Sequence, residues 1–171
     1  MAGFIAFPTI LYASQEDKIK AAYLYQLTYF TEWPKSTLSR DTLSICILGK
    51  DKIGKELAPL HMRQSGGVHI EIVYIERPID ASSCNILYIA NTEKKHLSLI
   101  FDVLQVESVL TVSSIKDFVK QGGIIGFAII NNTVRLEVNY SAALKAGITL
   151  SAKLLEVASL VVNDKVEVKH L

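Results

Sequence analysis

Strand-like segments alternate along this chain with segments of helical periodicity, and most of these strands are apolar at nearly every position. The predicted strands are Leu43–Leu48, Val68–Ile75, Asn85–Ala90 and Val109–Val112. The predicted helices are Asp17–Trp33, Ile53–Met62, Thr92–Leu104 and Ser114–Gln121. Strands that are apolar on both sides need cover on both faces of their sheet, and helical crossovers between parallel strands supply it. The alternation therefore predicts an α/β fold with a mostly parallel sheet and helices on both faces.

The C-terminal third of the sequence has a different pattern. Ile124–Ile130 and Val134–Val138 flank the turn-forming pair Asn131-Asn132, which predicts a hairpin that gives the sheet an antiparallel edge. Beyond it, the spacing predicts a short helix from Ser141 to about Gly147 and a longer one from Ser151 to Val162. The inward positions of the longer helix are predicted to be Leu154, Leu155, Ala158 and Val161.

Length and composition restrict the classes of protein to consider. A chain of 171 residues fits one domain, and 50% hydrophobic residues exclude a disordered chain. The 18 basic and 17 acidic residues give a net charge of +1 without a basic run, so no nucleic-acid partner is expected. The longest apolar stretch after the N-terminus, Gly122–Ile130, is too short to span a membrane.

The first fourteen residues carry no charged side chain. Gly3–Ala13 is apolar and is followed by a polar segment, as in the core and cleavage zone of a secretory signal peptide. No basic residue precedes it, and Leu11 or Tyr12 stands where a small residue is preferred, so an edge strand is the alternative. We interpret residues 1–14 as a signal-peptide remnant and residues 15–171 as a single α/β domain.

Catalytic and metal-binding motifs find little support. Gly49, Gly54 and Lys55 have the spacing of a phosphate-binding loop, but Glu56 replaces the hydroxyl that would hold magnesium, so we predict neither binding nor hydrolysis of ATP or GTP. No Gly-x-Ser-x-Gly motif occurs, and the histidines lack metal-ligand spacing; they are His61, His69, His96 and His170. No catalytic residue, metal or cofactor is predicted.

Two further groups of residues leave alternatives open. Arg135, Glu137 and Asn139 alternate with apolar residues and share one face of a strand, where they either bind a ligand or partner or form a solvated face. Cys46 and Cys84 form a disulfide if the chain is exported and are buried thiols if it is cytosolic.

Several segments, in order along residues 17 to 160, together resemble one protein family. They are Lys20–Tyr25, Phe30–Pro34, Ile45–Gly49, Cys84–Ile89, Leu110–Ser113 with Phe118, Gly122–Ile125, Arg135–Asn139, and Gly147 with Ser151 and Lys153–Leu155. This combination resembles the YfiR-like family of exported bacterial proteins. The resemblance implies a periplasmic, non-enzymatic regulator with a Rossmann-like fold, usually a dimer. It would repress a membrane-bound diguanylate cyclase by binding its periplasmic sensor domain, with a sensor kinase as a related partner. The alternative is a small-molecule-binding sensory domain of the same architecture.

The resemblance also resolves the question of the cysteines. It implies export, and the family commonly carries cysteines that match Cys46 and Cys84, so we predict a disulfide between them. A second pair found in some members has no counterpart here, and the family's Phe within Arg-x-Glu-x-Asn is Leu136. Tyr25 and Tyr29, on a helix whose apolar stripe is wider than one core face needs, predict dimerisation through apolar surface.

Overall fold

The computed structural model of this chain describes residues 9–34, 41–164 and 166–169. The strands in these ranges are β1 (Thr31–Glu32), β2 (Thr42–Leu48), β3 (Gln64–Ser65), β4 (Val68–Ile75), β5 (Ile86–Ile89), β6 (Leu110–Ser113), β7 (Ile125–Ile130), β8 (Thr133–Asn139), β9 (Thr149–Leu150), β10 (Leu160–Asn163) and β11 (Val166–Lys169). The α-helices are α1 (Thr9–Phe30), α2 (Ile53–Leu57), α3 (Leu97–Val103), α4 (Tyr140–Lys145) and α5 (Ala152–Val157). Single 3₁₀ segments lie at Ala58–Leu60, Pro78–Ser83, Asn91–His96 and Phe118–Gln121.

A nine-stranded sheet organises the molecule, in the order β11-β10-β8-β7-β6-β5-β2-β4-β3. Strands β4, β2, β5, β6 and β7 are parallel neighbours, and Ile45 in β2 stands opposite Ile72 on one side and Ile86 on the other. A separate pair, β1 and β9, joins the end of α1 to the segment before α5. The predicted mostly parallel, Rossmann-like α/β sheet is confirmed.

Each central strand sends alternate side chains into two different cores. Ile45 and Ile47 face a core that also holds Leu24 of α1 and Leu57 of α2. Cys46 and Leu48 point to the other side and face a second core. This core holds Ile100 of α3 and Leu104, the residue that follows α3. The apolar runs are continuous because helices cover both faces of the sheet, as predicted.

The antiparallel edge of the sheet is formed by a different hairpin from the predicted one. The β7–β8 hairpin exists, but β10 pairs with β8 in parallel, so this hairpin lies inside the sheet. On this side the edge is the hairpin of β10 and β11, and at the other end of the sheet the short β3 pairs antiparallel with β4. The predicted helix from Ser151 to Val162 is wrong beyond Val157, because Leu160–Asn163 forms β10. The backbone N–H of Ser159 donates to the carbonyl of Leu136 at 2.8 Å, so the edge of β8 captures a segment that also has helical spacing.

Several other predicted helices are shorter in the structure, and one of them contains no α-helix. Within the predicted helix Thr92–Leu104, only Leu97–Val103 is α-helical, and Ser114–Gln121 contributes only a 3₁₀ turn at its end. Helix α1 ends at Phe30 rather than Trp33 and already includes Thr9, so it overlaps the predicted signal-peptide remnant. Residues 1–8 of that remnant lie outside the described part of the chain.

Candidate functional site: a polar cleft at the switch point of the sheet

The chain changes direction across the sheet at β2. From β2 it moves to β4 on one side, and it then returns to β5 on the other side of β2. The order β4-β2-β5-β6-β7 is that of a flavodoxin-like doubly wound sheet, in which ligands bind outside the carboxyl ends of the strands at the switch point. A ligand site in this sheet is therefore expected where β2 and β5 end.

A cleft of about 290 Å³ lies at this place. Its lining comes from the loop after β2, the segments that follow β5 and β6, the end of β5 itself, and helix α1. These residues are Asp17, Lys20, Lys50, Asp51, Lys52, Tyr88, Asn91 and Ser114. We call it the switch-point cleft.

Gly49 and Thr92 hold together the two loops that form the wall of the cleft. The hydroxyl of Thr92 accepts a hydrogen bond from the backbone N–H of Lys50 at 3.2 Å. Gly49 has a φ of +87°, and a Cβ there would stand 2.6 Å from the Thr92 hydroxyl oxygen. Only glycine fits this conformation and this close approach, and it turns Lys50 and Asp51 across the end of β2.

Asp51 is anchored at both of its carboxylate oxygens. One accepts the backbone N–H of Ile53 at 2.9 Å, and the other accepts the hydroxyl of Tyr88 at 3.1 Å. The Tyr88 hydroxyl also lies 3.4 Å from that of Ser114. Burial raises the pKa of Tyr88, and the negative charge of Asp51 raises it further. Tyr88 therefore remains a protonated donor that holds the Asp51 side chain against the cleft wall.

Helix α1 contributes one buried ammonium group and one carboxylate. Lys20 is only 7% exposed and forms an ion pair with Glu16 one turn earlier. Burial raises the pKa of Asp17; the neighbouring Lys20 lowers it, and the Asp51 carboxylate raises it again. The cleft is thus a charged site in which cationic and anionic groups alternate.

The loop with phosphate-loop spacing falls on this cleft, but its key lysine does not line it. Lys50, Asp51 and Lys52 line the cleft, whereas Lys55 lies on α2 outside it. In the structure, the loop of residues 49–52 connects β2 to α2, and Lys55 is part of that helix.

The histidines take part in local contacts. His61 accepts from the backbone N–H of Ile72 at 3.2 Å, and His96 lies 3.0 Å from a carboxylate oxygen of Glu93. Across the described ranges, no three His, Cys, Asp or Glu side chains are grouped so as to hold a metal ion. His170 is outside these ranges.

The predicted group on β8 divides into a cap and a surface pair. Arg135, Glu137 and Asn139 share one face of the strand, opposite the buried Val134, Leu136 and Val138. The Asn139 amide oxygen accepts the N–H of Ala142 at 2.9 Å and caps α4, while its nitrogen donates to the carbonyl of Val119 at 2.8 Å. Asn139 is therefore committed to the fold. None of the three lines the switch-point cleft.

The predicted disulfide is present. Cys46 in β2 is bonded to Cys84, which directly follows the 3₁₀ segment ahead of β5, with a Cα–Cα distance of 5.9 Å. Both residues are buried, at 1% and 4% exposure. The bridge lies in the α3-side core and links the strand at the switch point to the start of its neighbour.

Comparison with known proteins identifies the family. Residues 17–159 match the family model DUF4154, described as YfiR/HmsC-like. The chain belongs to this family. The match covers α1 from Asp17 onward, the central sheet and α5, so the switch-point cleft and the Cys46–Cys84 disulfide both lie within the YfiR/HmsC-like region. No functionally curated protein matches the sequence.

Two solved structures share the fold of this YfiR/HmsC-like chain. An ABC domain from Streptococcus pneumoniae in complex with L-Trp is 12% identical, with a TM-score of 0.57 over 86% of this chain and 60% of that one. A conserved domain protein from Vibrio cholerae is 11% identical, with a TM-score of 0.58 over 85% of this chain and 60% of that one. The chain thus spans about 60% of the length of these relatives, and the likeness concerns the fold alone.

Sequence reasoning missed most of the residues that line the cleft. Asn91 and Ser114 each follow a predicted apolar strand, and the carboxyl ends of parallel strands meet at one edge, so this signal was available. Asp17 and Lys20 had no such signal, because their position depends on how α1 packs across the sheet. None of the described helices is both long enough and apolar enough to cross a membrane.

Proposed function

We propose that this protein is a periplasmic regulator that acts without catalysis, by binding the sensor domain of a membrane-bound diguanylate cyclase and repressing synthesis of cyclic di-GMP. A sensor kinase is the related partner. The observation that carries the proposal is the YfiR/HmsC-like match over residues 17–159. In this proposal residues 1–14 are the remnant of a secretory signal peptide and residues 15–171 form the regulatory domain.

The disulfide supports an exported location. Disulfides form and persist in oxidising compartments such as the bacterial periplasm and are rare in the cytosol. Cys46 and Cys84 are bonded deep in the domain, and the described residues contain no free cysteine. A buried bridge of this kind serves stability rather than surface chemistry.

The partner surface in this proposal includes Arg135 and Glu137. Arg135 is exposed and Glu137 is half-buried on a face of β8 that points away from the apolar core. Asn139 is left out of the surface because both ends of its amide have structural partners. The protein itself is proposed to be a dimer.

A deletion in the native host tests the regulatory role. Loss of the gene is expected to raise cellular cyclic di-GMP, measured by mass spectrometry, and the exported chain should restore the original level. The same chain retained in the cytoplasm should not restore it. An unchanged level after deletion, or full rescue from the cytoplasm, would contradict the proposal.

A pair of matched variants tests the surface. Arg135→Ala with Glu137→Ala is expected to weaken capture of the cyclase's periplasmic domain, and its circular dichroism spectrum should show that the variant is folded. Arg63→Ala is the control, because Arg63 is also exposed but lies in the segment before β3, at the opposite end of the sheet. Equal capture by the double variant and the wild type would show that these residues are not part of the partner surface.

The proposed dimer has its own test. Light scattering that shows a monomer at high protein concentration would contradict the dimer.

A second candidate is a small-molecule-binding sensory domain. Two observations favour it: the polar switch-point cleft, and a structural relative described in complex with L-Trp. Its test is mass spectrometry of the natively purified protein under non-denaturing conditions. A bound small molecule that is lost when Lys50 and Lys52 are changed to Gln supports it, and an empty protein from its native host does not.

A further inference from the structure

We propose that the switch-point cleft binds the oxyanion group of a small molecule, a carboxylate or a phosphate, through the ammonium groups of Lys20, Lys50 and Lys52. The inference goes beyond the repressor role and rests on the sensory candidate, for which it names the class of ligand.

The charges in the lining of the cleft favour an anion. Three ammonium groups and two carboxylates line it. Asp51 already accepts two hydrogen bonds from groups of the protein itself. Lys50 and Lys52 are exposed, and none of the ion pairs in the described ranges includes either of them, although the charge of Lys52 attracts Asp17. In the lining, the two exposed lysines are therefore opposed by the Asp17 carboxylate alone, and this excess of positive charge attracts an anion.

The buried lysine of the cleft, Lys20, also favours an anion. Lys20 lines the cleft although it is only 7% exposed, and its ammonium group has three donors. Within the described part of the chain, its one side-chain partner is Glu16. Buried donors require acceptors, and Lys20 borders the cleft, where an acceptor could reach it. An oxyanion in the cleft would supply them.

Neutral donors complete the site. Ser114 presents a hydroxyl and Asn91 an amide at the carboxyl ends of β6 and β5, on the same side as the lysines. The Tyr88 hydroxyl is occupied by Asp51 and keeps that carboxylate turned toward its own partners. The arrangement does not suit a metal ion, because three ammonium groups would repel it and only two carboxylates could hold it.

The size of the cleft limits the rest of the ligand. Its 290 Å³ stands at the lower end of the range of roughly 300–1,000 Å³ typical of small-molecule sites. Lys55 is also absent from the lining, so nothing corresponds to the lysine that reaches the terminal phosphates of a nucleotide. The ligand is therefore a small organic acid or a small phosphate compound.

Binding of defined probes to the full chain tests the inference. Isothermal titration with inorganic phosphate in one arm and succinate in the other separates the two sources of the oxyanion, and binding of either one supports the proposal. Lys50→Gln combined with Lys52→Gln is expected to weaken that binding by about tenfold or more, because each lost charge-assisted hydrogen bond lowers the affinity for the probe. Asp17→Asn is expected to strengthen it, because a carboxylate that repels the probe is removed.

Lys55→Gln is the control for a neighbouring charge, since it removes one positive charge from α2, directly after this loop, but outside the cleft. It should leave binding unchanged, and all variants should retain their circular dichroism spectra. The proposal is overturned if neither probe binds at millimolar concentration, if the double variant binds as the wild type does, or if Lys55→Gln weakens binding equally. These measurements use the isolated protein, so their failure is separate from a failure of the cyclic di-GMP experiment.

Discussion

Removal of the Cys46–Cys84 disulfide is expected to destabilise the domain strongly. The bridge closes a loop between residues that are 38 positions apart. For a loop of this length, the chain-entropy model gives about 4 kcal/mol, which is an upper value because the reduced chain retains structure; disulfides contribute typically 2–4 kcal/mol. A domain of this size loses roughly 2–4 °C in melting temperature per kcal/mol, so the expected decrease is about 4–16 °C.

The assay must separate the cross-link from the packing of the two sulfur atoms. Cys46 and Cys84 are 1% and 4% exposed, so a reductant reaches them only when the protein unfolds. The wild type is therefore reduced in denaturant, refolded with reductant, and compared with the oxidised protein by calorimetry. Both forms have the same side chains, so the difference in melting temperature reports the covalent bond.

The double variant Cys46→Ala with Cys84→Ala is the control, and its melting temperature should not respond to reductant. If the oxidised and reduced wild types melt at the same temperature, the entropic argument is wrong. Two free thiols, found by mass spectrometry in protein taken from the periplasm of its host, would show that the bridge is absent from the native molecule.

Three further substitutions test the fold and the site. Gly123→Ala should cost about 1–3 kcal/mol in denaturant unfolding, because a Cβ would stand 2.1 Å from the buried Phe118 ring; Phe118→Leu should recover part of this loss. Asn139→Ala should cost about 1–2 kcal/mol through loss of the α4 cap, and Asn139→Ser less, since a serine hydroxyl can still accept the N–H of Ala142 without placing an acceptor against the Val119 carbonyl; equal costs would refute the capping role. Asp17→Asn should stabilise the protein at neutral pH. Burial raises the pKa of Asp17 above its usual 3.8, so the folded protein holds this proton more tightly than the unfolded chain does. Wild-type stability therefore falls as the pH rises from about 3.8 through the raised pKa. Thermal melts should show the two proteins converging below about pH 3.8, and a constant difference would contradict this cause.

The sequence by itself determined the central sheet. The predicted Val68–Ile75 strand has the same bounds as β4, and Leu43–Leu48 and Asn85–Ala90 differ from β2 and β5 by a residue at their ends. A strand that is apolar at nearly every position can bury all of its side chains only in a sheet that is covered on both faces, so the pattern specifies the fold class directly. The family also followed from short segments spread along the sequence, and the resemblance implied the disulfide between Cys46 and Cys84.

Tertiary structure alone decided the C-terminal part of the sheet and the composition of the cleft. Leu160–Asn163 follows a segment of helical spacing, and it became a strand because β8 had an unpaired edge that could accept it. Asp17 and Lys20 reach the cleft because α1 packs against α2 and β8, which places these two residues beside the loop after β2 and the end of β5. They are far from Lys50 and Ser114 in the sequence, so no sequence pattern predicts that these residues line the same cleft. Local periodicity encodes burial within one element, whereas a site made by several elements exists only once their packing is complete.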